Sequence, residues 1–270
     1  MDTIKSNFSA NDFNDKVMLI TGSSSGMGAG AAIYFAKLGA NVVVTGRDAT
    51  KVNSVAKECR QHTDKQILEV LVDLQNDSEV RHLVDKTIAF FGKIHILVNC
   101  AGIVDQGNIR ADQKYMQSFD RIINTNLRPV VFLTSLVVPF LEQTKGCIVN
   151  VSSISSLVPR RTWSSYGMSK CGIDMLTKCL AMELGPKGIR VNSILPSIVL
   201  TPMINTIKDM AVSEEDIIMF CRKTYPLQRP GVVDDVTKAI EFLASNRSAF
   251  ITGSLIPLDG GSIISKKSRL

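Results

Sequence analysis

Residues 17–28 read VMLITGSSSGMG, an apolar β-branched run that leads directly into a loop with glycines at Gly22, Gly26 and Gly28. An Ala-rich stretch of helical character follows through residue 38. Glycines allow the loop to turn tightly, and they let backbone N–H groups approach a phosphate at the N-terminus of the next helix, where the helix dipole favours an anion. The order strand, glycine loop, helix and second strand therefore predicts a dinucleotide-binding βαβ unit.

The rest of the chain alternates short apolar runs with longer amphipathic stretches. Strands are predicted at 17–21, 41–45, 67–72, 94–99, 147–152, 190–195 and 255–258. Because these runs are nearly all apolar rather than alternating, helices should cover both faces of a parallel sheet. We expect an α/β fold, a single-domain doubly wound (Rossmann) parallel sheet over residues 1–270. Residues 202–228 lack a strand and are interpreted as a substrate-lid insertion, and residues 263–270 as an exposed tail.

Composition excludes several classes of protein. Of the 270 residues 45% are hydrophobic and 21% are charged, which is typical of a globular rather than a disordered chain. The longest apolar run, 129–141, is shorter than the roughly 18–20 residues that span a bilayer, so no membrane span is expected. The basic residues behind the net charge of +6 are scattered, which favours a small anionic ligand over nucleic acid. The six cysteines lack metal-ligand spacing and are expected to be buried free thiols, with no metal site.

The glycine loop resembles the T-G-x-x-x-G-x-G fingerprint of short-chain dehydrogenases/reductases. Three further motifs follow in the order of that family. Residues 99–102 (NCAG) resemble its N-N-A-G segment, a Ser, a Tyr and a Lys match its S…Y-x-x-x-K pattern, and an Asn falls at the fourth catalytic position. The resemblance covers about residues 16–262 and implies an oxidoreductase whose catalytic residues are Asn126, Ser153, Tyr166 and Lys170.

Tyr166 and Lys170 lie four residues apart on a predicted helix, so their side chains share one face. A free phenol with a pKa near 10 is a poor acid–base catalyst at neutral pH, whereas a nearby ammonium and an oxidised nicotinamide ring favour the phenolate. Tyr166 would then donate a proton to a carbonyl oxygen, or accept one from an alcohol, while Ser153 positions that oxygen. The resemblance further implies that Asn126 holds a water molecule that links Lys170 to solvent.

The choice of nicotinamide cofactor is made at the end of the second strand, in the segment Gly46-Arg47-Asp48. An acid there bonds the ribose 2′-hydroxyl, whereas an Arg pairs with a 2′-phosphate. Gly46 leaves the usual acid position vacant and Arg47 supplies a cation, so NADP(H) is favoured. NAD with Asp48 as the ribose ligand stays open as the alternative, although Asp48 also suits the N-cap of a helix that begins at Ala49.

The remaining predicted cofactor contacts lie at the ends of successive strands. Asp73 resembles the adenine-contacting acid of the family and also suits a plain strand-end acid or the cap at the start of the next helix. The 99–102 segment also suits a packing role. Ser197 stands where relatives have Gly in P-G-x-[IV]-x-T. The full set of predicted contacts is Gly22, Ser23, Ser25, Gly26, Met27, Gly28, Arg47, Asp73, Leu74, Asn99, Ala101, Gly102, Tyr166, Lys170, Pro196, Val199 and Thr201.

The resemblance implies an NADP(H)-dependent carbonyl reductase that acts on a 3-oxoacyl thioester, a retinoid or another apolar carbonyl. The alternatives are an NAD-dependent hydroxysteroid or secondary alcohol dehydrogenase, and a non-catalytic cofactor-sensing binding protein. Trp163 and the pair Arg160-Arg161 either line the substrate entrance or form a solvated rim. Met203, Met210 and Met219 either pack within the insertion or contact the substrate.

Assembly and location are further expectations. Relatives pair through the helix that carries the Tyr, which implies a homotetramer or homodimer. The chain ends in Ser268-Arg269-Leu270, which resembles the Ser-Lys-Leu address read by the peroxisomal import receptor, and its N-terminus lacks the pattern of a secretory signal. A peroxisomal or cytoplasmic location is therefore expected.

Overall fold

The computed structural model describes residues 12–206 and 213–265. Its centre is one seven-stranded parallel sheet with the strand order β3-β2-β1-β4-β5-β6-β7. The chain builds β1 to β3 outward in one direction and returns to place β4 beside β1, which opens a crevice at the carboxyl ends of these two strands. The strands are β1 Val17–Ile20, β2 Asn41–Gly46, β3 Ile67–Leu71, β4 Ile96–Asn99, β5 Cys147–Val151, β6 Arg190–Pro196 and β7 Leu255–Leu258. The predicted doubly wound α/β fold is confirmed.

Helices cover both faces of the sheet. They are α1 Gly26–Lys37, α2 Ala49–Gln61, α3 Asp77–Phe91, α4 Tyr115–Asn126, α5 Arg128–Thr144, α6 Ser164–Leu184, α7 Glu214–Thr224 and α8 Val233–Ala244. Met18 of β1 packs into a core with α1, α2 and α8, and the next residue, Leu19, packs into a second core with α3, α5 and α6. Successive strand residues point to opposite faces, so both faces must be apolar.

One continuous helical stretch among the described residues, Tyr115–Thr144, is long and apolar enough to cross a membrane, with a mean hydropathy of 1.3. It consists of α4 and α5, which meet at Leu127. Leu133, Val137 and Leu141 of α5 are buried against the sheet. A core helix passes the same test, so this stretch is weak evidence for a membrane span.

Helix α6 is apolar on two faces. Its inner face is buried, while Met168, Met175 and Met182 are 46%, 60% and 83% exposed on the outer side. Cys171 and Cys179 are exposed on the same helix, so the expectation of buried thiols is wrong for these two.

Candidate active site

The loop after β1 forms the floor of a groove at the crevice between β1 and β4. A Cβ atom on Gly22 would lie 2.8 Å from the Cα of Ala101, and one on Gly28 would lie 2.8 Å from the carbonyl carbon of Gly22. Gly22 also has a φ of +67°, a backbone conformation that L side chains rarely adopt. Both positions therefore require glycine, and the backbone of the loop is left bare toward the groove, as a bound pyrophosphate requires.

The groove collects most of the predicted cofactor contacts. It is lined by Gly22, Ser24, Ser25, Gly26, Met27, Gly28, Thr45, Gly46, Arg47, Val72, Asp73, Leu74, Cys100, Ala101, Gly102, Ile103, Thr125, Thr201, Pro202 and Met203. These residues supply backbone N–H groups at a helix N-terminus, the cation Arg47 and the acid Asp73. Together they fit the phosphates, ribose and adenine of a nicotinamide dinucleotide.

Ser23 is a correction to the predicted contacts. Its hydroxyl is completely buried, donates to the backbone oxygen of Ile20 at 2.7 Å and accepts from the backbone N–H of Thr45 at 2.8 Å. Ser23 therefore ties the glycine loop to β1 and β2 rather than facing the groove. Ser24, which the sequence reasoning passed over, lines the groove instead.

Asn99 is a second correction. Its side chain is buried, and its amide nitrogen donates to Asn150 Oδ1 at 2.9 Å. The side chain thus links β4 to β5, because it lies on a strand and points into the core beneath the groove. Within the 99–102 segment the groove is bordered by Ala101 and Gly102.

Thr21 is a residue whose role the sequence reasoning missed. Its buried hydroxyl oxygen accepts from the backbone N–H of Cys100 at 3.0 Å and from that of Ala101 at 3.1 Å. The side chain therefore fixes the 99–102 segment against the glycine loop. A polar residue directly after a buried apolar strand was the available signal.

The end of β2 carries the groove's cation. Arg47 is exposed and borders the groove, and none of the described carboxylates forms an ion pair with it. Asp48 is the N-cap of α2, since its carboxylate accepts from the backbone N–H groups of Thr50 at 3.0 Å and Lys51 at 3.2 Å. The N-cap interpretation of Asp48 is confirmed.

Asp73 follows β3 and borders the groove on its far side. Its carboxylate accepts from the backbone N–H of Gln75 at 3.0 Å, while the N-cap of α3 is Asn76. The carboxylate therefore shapes the turn after β3 and lies at the groove wall, so the alternative in which Asp73 caps the helix is wrong.

Three of the four predicted catalytic residues converge at the carboxyl end of β5. Tyr166 enters from the first turn of α6, and its hydroxyl hydrogen bonds with that of Ser153. Lys170 lies one turn further along α6, with its Nζ 5.6 Å from the centre of the Tyr166 ring. Burial raises the pKa of Tyr166, while the Ser153 hydrogen bond and the charge of Arg160 lower it. Without cofactor, Tyr166 is therefore a phenol at neutral pH, because desolvation outweighs its neighbours. The expectation of a phenolate beside an oxidised nicotinamide ring stays a prediction.

Lys170 is an ammonium held in the interior. Its Nζ donates to the backbone oxygen of Val151 at 2.9 Å, and burial lowers its pKa to about 8. Asp174, one turn further along α6, is also buried and raises the pKa of Lys170. Burial raises the pKa of Asp174 in turn, while hydrogen bonds from Ser156 and Ser152 lower it.

Asn126, the last residue of α4, is completely buried. Its amide oxygen accepts from the backbone N–H of Ile103 at 2.8 Å, and its amide nitrogen donates to the oxygen of the same residue at 2.8 Å. The amide nitrogen also donates to Ser169 Oγ at 3.3 Å. The side chain therefore positions the Ile103 backbone and α6. The expectation that Asn126 holds a water molecule stays a prediction.

The segment after β6 carries the predicted nicotinamide contacts. Pro196 and Val199 border the cavity described below, and Thr201 borders both that cavity and the groove. Ser197 does not adopt a positive φ, and its hydroxyl hydrogen bonds with that of Tyr225. The change from Gly is accommodated because this backbone needs no left-handed residue.

A second, largely apolar cavity of about 350 Å³ adjoins the groove. Met27, Thr201 and Met203 border both spaces, and Ser153 and Tyr166 lie in the cavity wall. The described parts of the predicted insertion, Pro202–Thr206 and α7, contribute Met203, Ile204, Asp216, Ile217 and Phe220.

Of the residues predicted either for the substrate entrance or for a solvated rim, Trp163 and Arg160 line the cavity and Arg161 does not. Met219 does not line the cavity and is 49% exposed. Met210 lies outside the described residues.

Within residues 12–206 and 213–265, no group of three or more His, Cys, Asp or Glu side chains could hold a metal ion.

Comparison with known proteins identifies the family. A family model described as Enoyl-(Acyl carrier protein) reductase matches residues 22–262. The chain is 34% identical over 251 residues to 3-oxoacyl-[acyl-carrier-protein] reductase FabG of Thermotoga maritima, across 92% of this chain and 98% of that protein. A solved short-chain type dehydrogenase/reductase from Mycobacterium ulcerans superposes with a TM-score of 0.85 and 29% identity, across 94% of this chain and 92% of that one. The chain is a short-chain dehydrogenase/reductase.

This short-chain dehydrogenase/reductase is also similar to a 7α-hydroxysteroid dehydrogenase that was solved in complex with NADH and 7-oxo glycochenodeoxycholic acid. The TM-score is 0.85 at 31% identity, across 93% of this chain and 96% of that one. Membership of the family makes the chain an oxidoreductase that uses a nicotinamide cofactor on carbonyl or alcohol groups.

Proposed function

We propose that this chain is an NADP(H)-dependent carbonyl reductase, equivalently an alcohol dehydrogenase, for apolar ketones or aldehydes. The observation that carries the proposal is that the cofactor groove opens into the apolar cavity. Met27, Thr201 and Met203 border both the groove and the cavity, and Tyr166 and Ser153 lie in the cavity wall. The bound cofactor would supply or accept the hydride at this junction.

The chain's own residues supply the proton chemistry. Tyr166 is protonated in the resting site, so it donates its proton to the carbonyl oxygen during reduction and is left as a phenolate. In the oxidation direction this phenolate accepts the proton of the alcohol. Ser153 positions the same oxygen through a second hydrogen bond. Lys170, fixed by Val151, places a positive charge under the Tyr166 ring and stabilises the phenolate after proton transfer.

Arg47 supports the choice of NADP(H) over NAD. Its guanidinium borders the groove at the end of β2 without an ion-pair partner among the described residues, and it offers the planar donors that bind a phosphate. Asp48, the acid that would favour NAD, is engaged at the N-terminus of α2.

The proposed substrates are 3-oxoacyl thioesters, retinoids or other apolar carbonyl compounds. The similarity to a 3-oxoacyl-[acyl-carrier-protein] reductase supports the first class, and an apolar cavity of about 350 Å³ suits an acyl chain or a terpenoid body.

An NAD-dependent hydroxysteroid or secondary alcohol dehydrogenase is the second candidate, favoured by the similarity to a hydroxysteroid dehydrogenase solved with NADH. A non-catalytic cofactor sensor is disfavoured because Ser153, Tyr166 and Lys170 are all present and in contact. Comparison of NADPH with NADH as the electron donor separates the first two candidates, and absence of turnover with either cofactor would favour the third.

A homodimer or homotetramer and a peroxisomal or cytoplasmic location complete the proposal. The exposed Met168, Met175 and Met182 recur every seven residues on α6 and form an apolar stripe suited to a second copy of the chain. Met175→Glu should therefore reduce the mass of the assembly measured by sedimentation.

The C-terminal tripeptide Ser268-Arg269-Leu270 lies outside the described residues. A tagged chain with a free C-terminus should concentrate in peroxisomes and disperse when these three residues are deleted, whereas diffuse signal from both would favour the cytoplasm.

The test of the proposed activity is oxidation of NADPH by the purified chain across a panel of 3-oxoacyl thioesters, retinal, oxosteroids, diketones and quinones. We expect turnover of at least one apolar carbonyl class, faster with NADPH than with NADH. Equal or faster turnover with NADH would refute the cofactor assignment, and no turnover of any class would refute the activity.

A further inference from the structure

Arg160 borders the substrate cavity without serving any structural ion pair. It lies in the loop between β5 and α6, is exposed, and has no ion-pair partner among the carboxylates of residues 12–206 and 213–265. Its neighbour Arg161 is exposed as well but does not border the cavity. Among the described residues, Arg160 is therefore the one cation in the cavity wall.

Two successive ring contacts connect the guanidinium of Arg160 to Tyr166. Its Cζ lies 5.9 Å from the centre of the Trp163 ring, and the Trp163 ring centre lies 5.6 Å from that of Tyr166. Burial raises the pKa of both Tyr166 and Tyr225, and the positive charge of Arg160 opposes that rise at both hydroxyls. Arg160 thus lies two ring contacts from the proton donor, at a distance that the body of one small substrate can bridge.

Asp216, the one acid that the described part of the chain places in the cavity wall, is engaged elsewhere. Its carboxylate accepts from the backbone N–H of Ser213 at 3.0 Å and from the Ser213 hydroxyl at 2.8 Å, which forms the capping box of α7. The remaining wall is mostly apolar and includes Ile198, Ile217 and Phe220. An apolar cavity whose wall holds both a proton donor and a cation without an ion-pair partner among the described residues favours a ligand with an apolar body and an anionic end.

We propose that Arg160 binds the anionic end of the substrate, so that the preferred substrates are apolar ketones or secondary alcohols with a carboxylate or phosphate remote from the reacting carbon. The inference rests on the proposed carbonyl reductase activity for its turnover predictions, and on geometry alone for its binding predictions. Carboxylate and phosphate present the same anionic oxygens to a guanidinium.

Binding is tested without turnover, because Trp163 is the only tryptophan of the chain and lies in the cavity wall beside Arg160. The intrinsic fluorescence of the protein is titrated with decanoate and with its neutral counterpart decanamide. We expect decanoate to bind about tenfold more tightly. Arg160→Gln should remove that difference and retain the affinity for decanamide, while the matched variant Arg161→Gln should behave as the unmodified protein.

Turnover is then compared between 9-oxodecanoate and its methyl ester, and between 3-oxooctanoyl-CoA and the corresponding thioester without phosphates. In one of these two pairs, Arg160→Gln should raise KM for the anionic substrate and leave KM for the neutral substrate unchanged. A response in the 9-oxodecanoate pair identifies carboxylate as the recognised group, and a response in the thioester pair identifies phosphate. Equal affinities for decanoate and decanamide in the unmodified protein, or equal effects of Arg160→Gln and Arg161→Gln, would overturn the proposal. Loss of turnover with every carbonyl, but with selective decanoate binding, would instead refute the proposed activity and leave the anionic subsite standing.

Discussion

Replacing Arg47 by Ala should weaken the binding of NADPH and leave the binding of NADH unchanged, because only NADPH carries a 2′-phosphate for the guanidinium to bind. A hydrogen bond to a charged group contributes about 1.5–3 kcal/mol, and the exposure of Arg47 places its contribution toward the lower end, which corresponds to about a tenfold rise in the dissociation constant. Added salt should shrink the effect, since solvent screens an exposed pair.

The assay is a two-by-two comparison in which both reduced cofactors are titrated onto the unmodified protein and onto Arg47→Ala, with quenching of tryptophan fluorescence or calorimetry as the readout. Lys51→Ala, an exposed cation on the first turn of α2, is the matched control and should leave both affinities unchanged. The reasoning would be refuted if Arg47→Ala weakened NADH and NADPH by the same factor, or if the unmodified protein bound NADH more tightly.

Three other substitutions test the description of the groove and the site. The single variant Gly46→Asp should impair folding, or weaken the binding of both cofactors, because a Cβ there would lie 2.7 Å from the Cβ of Ser24. The double variant Ser24→Gly/Gly46→Asp relieves that contact and should bind NADH in preference to NADPH in the same titration. Thr21→Val should lower the free energy of unfolding by about 2 kcal/mol or more, since it leaves two backbone N–H groups without an acceptor, while Thr21→Ser should be near neutral in chemical denaturation. Burial lowers the pKa of Lys170 to about 8, so the unfolded chain binds this proton more tightly than the folded chain. The free energy of unfolding should therefore rise by about 1 kcal/mol between pH 7 and pH 9, and Lys170→Met should remove that increment. An unchanged pH dependence in this variant would contradict the buried ammonium.

The sequence was sufficient to predict the sheet and most of the groove. Each strand is a β-branched run bounded by polar or glycine residues, so all seven predicted strands are present with ends that differ by at most two residues. Gly22 and Gly28 were predictable because the absence of a side chain is what the close approach of two loops requires.

The sequence was less informative wherever the direction of a side chain decides its role. Ser23 and Ser24 are chemically identical in a run of three serines, and only the turn of the backbone sends the first inward and the second into the groove. Asn126 and Asn99 match catalytic and binding motifs, yet their amides serve neighbouring backbone and side-chain groups. Arg160 could not be separated from Arg161 before the loop geometry placed one of them in the cavity wall.

The central claim is that Tyr166 is the proton donor of a nicotinamide-dependent carbonyl reduction. The most direct measurement is the single-turnover oxidation of bound NADPH by a carbonyl substrate, compared between the unmodified protein and Tyr166→Phe. Phe removes the hydroxyl and keeps the ring that packs against Trp163, so NADPH should bind with unchanged affinity. A positioned general acid contributes about 10²–10⁴-fold, so the rate should fall by at least about a hundredfold in Tyr166→Phe. A variant that binds NADPH normally and retains most of its rate would contradict the account.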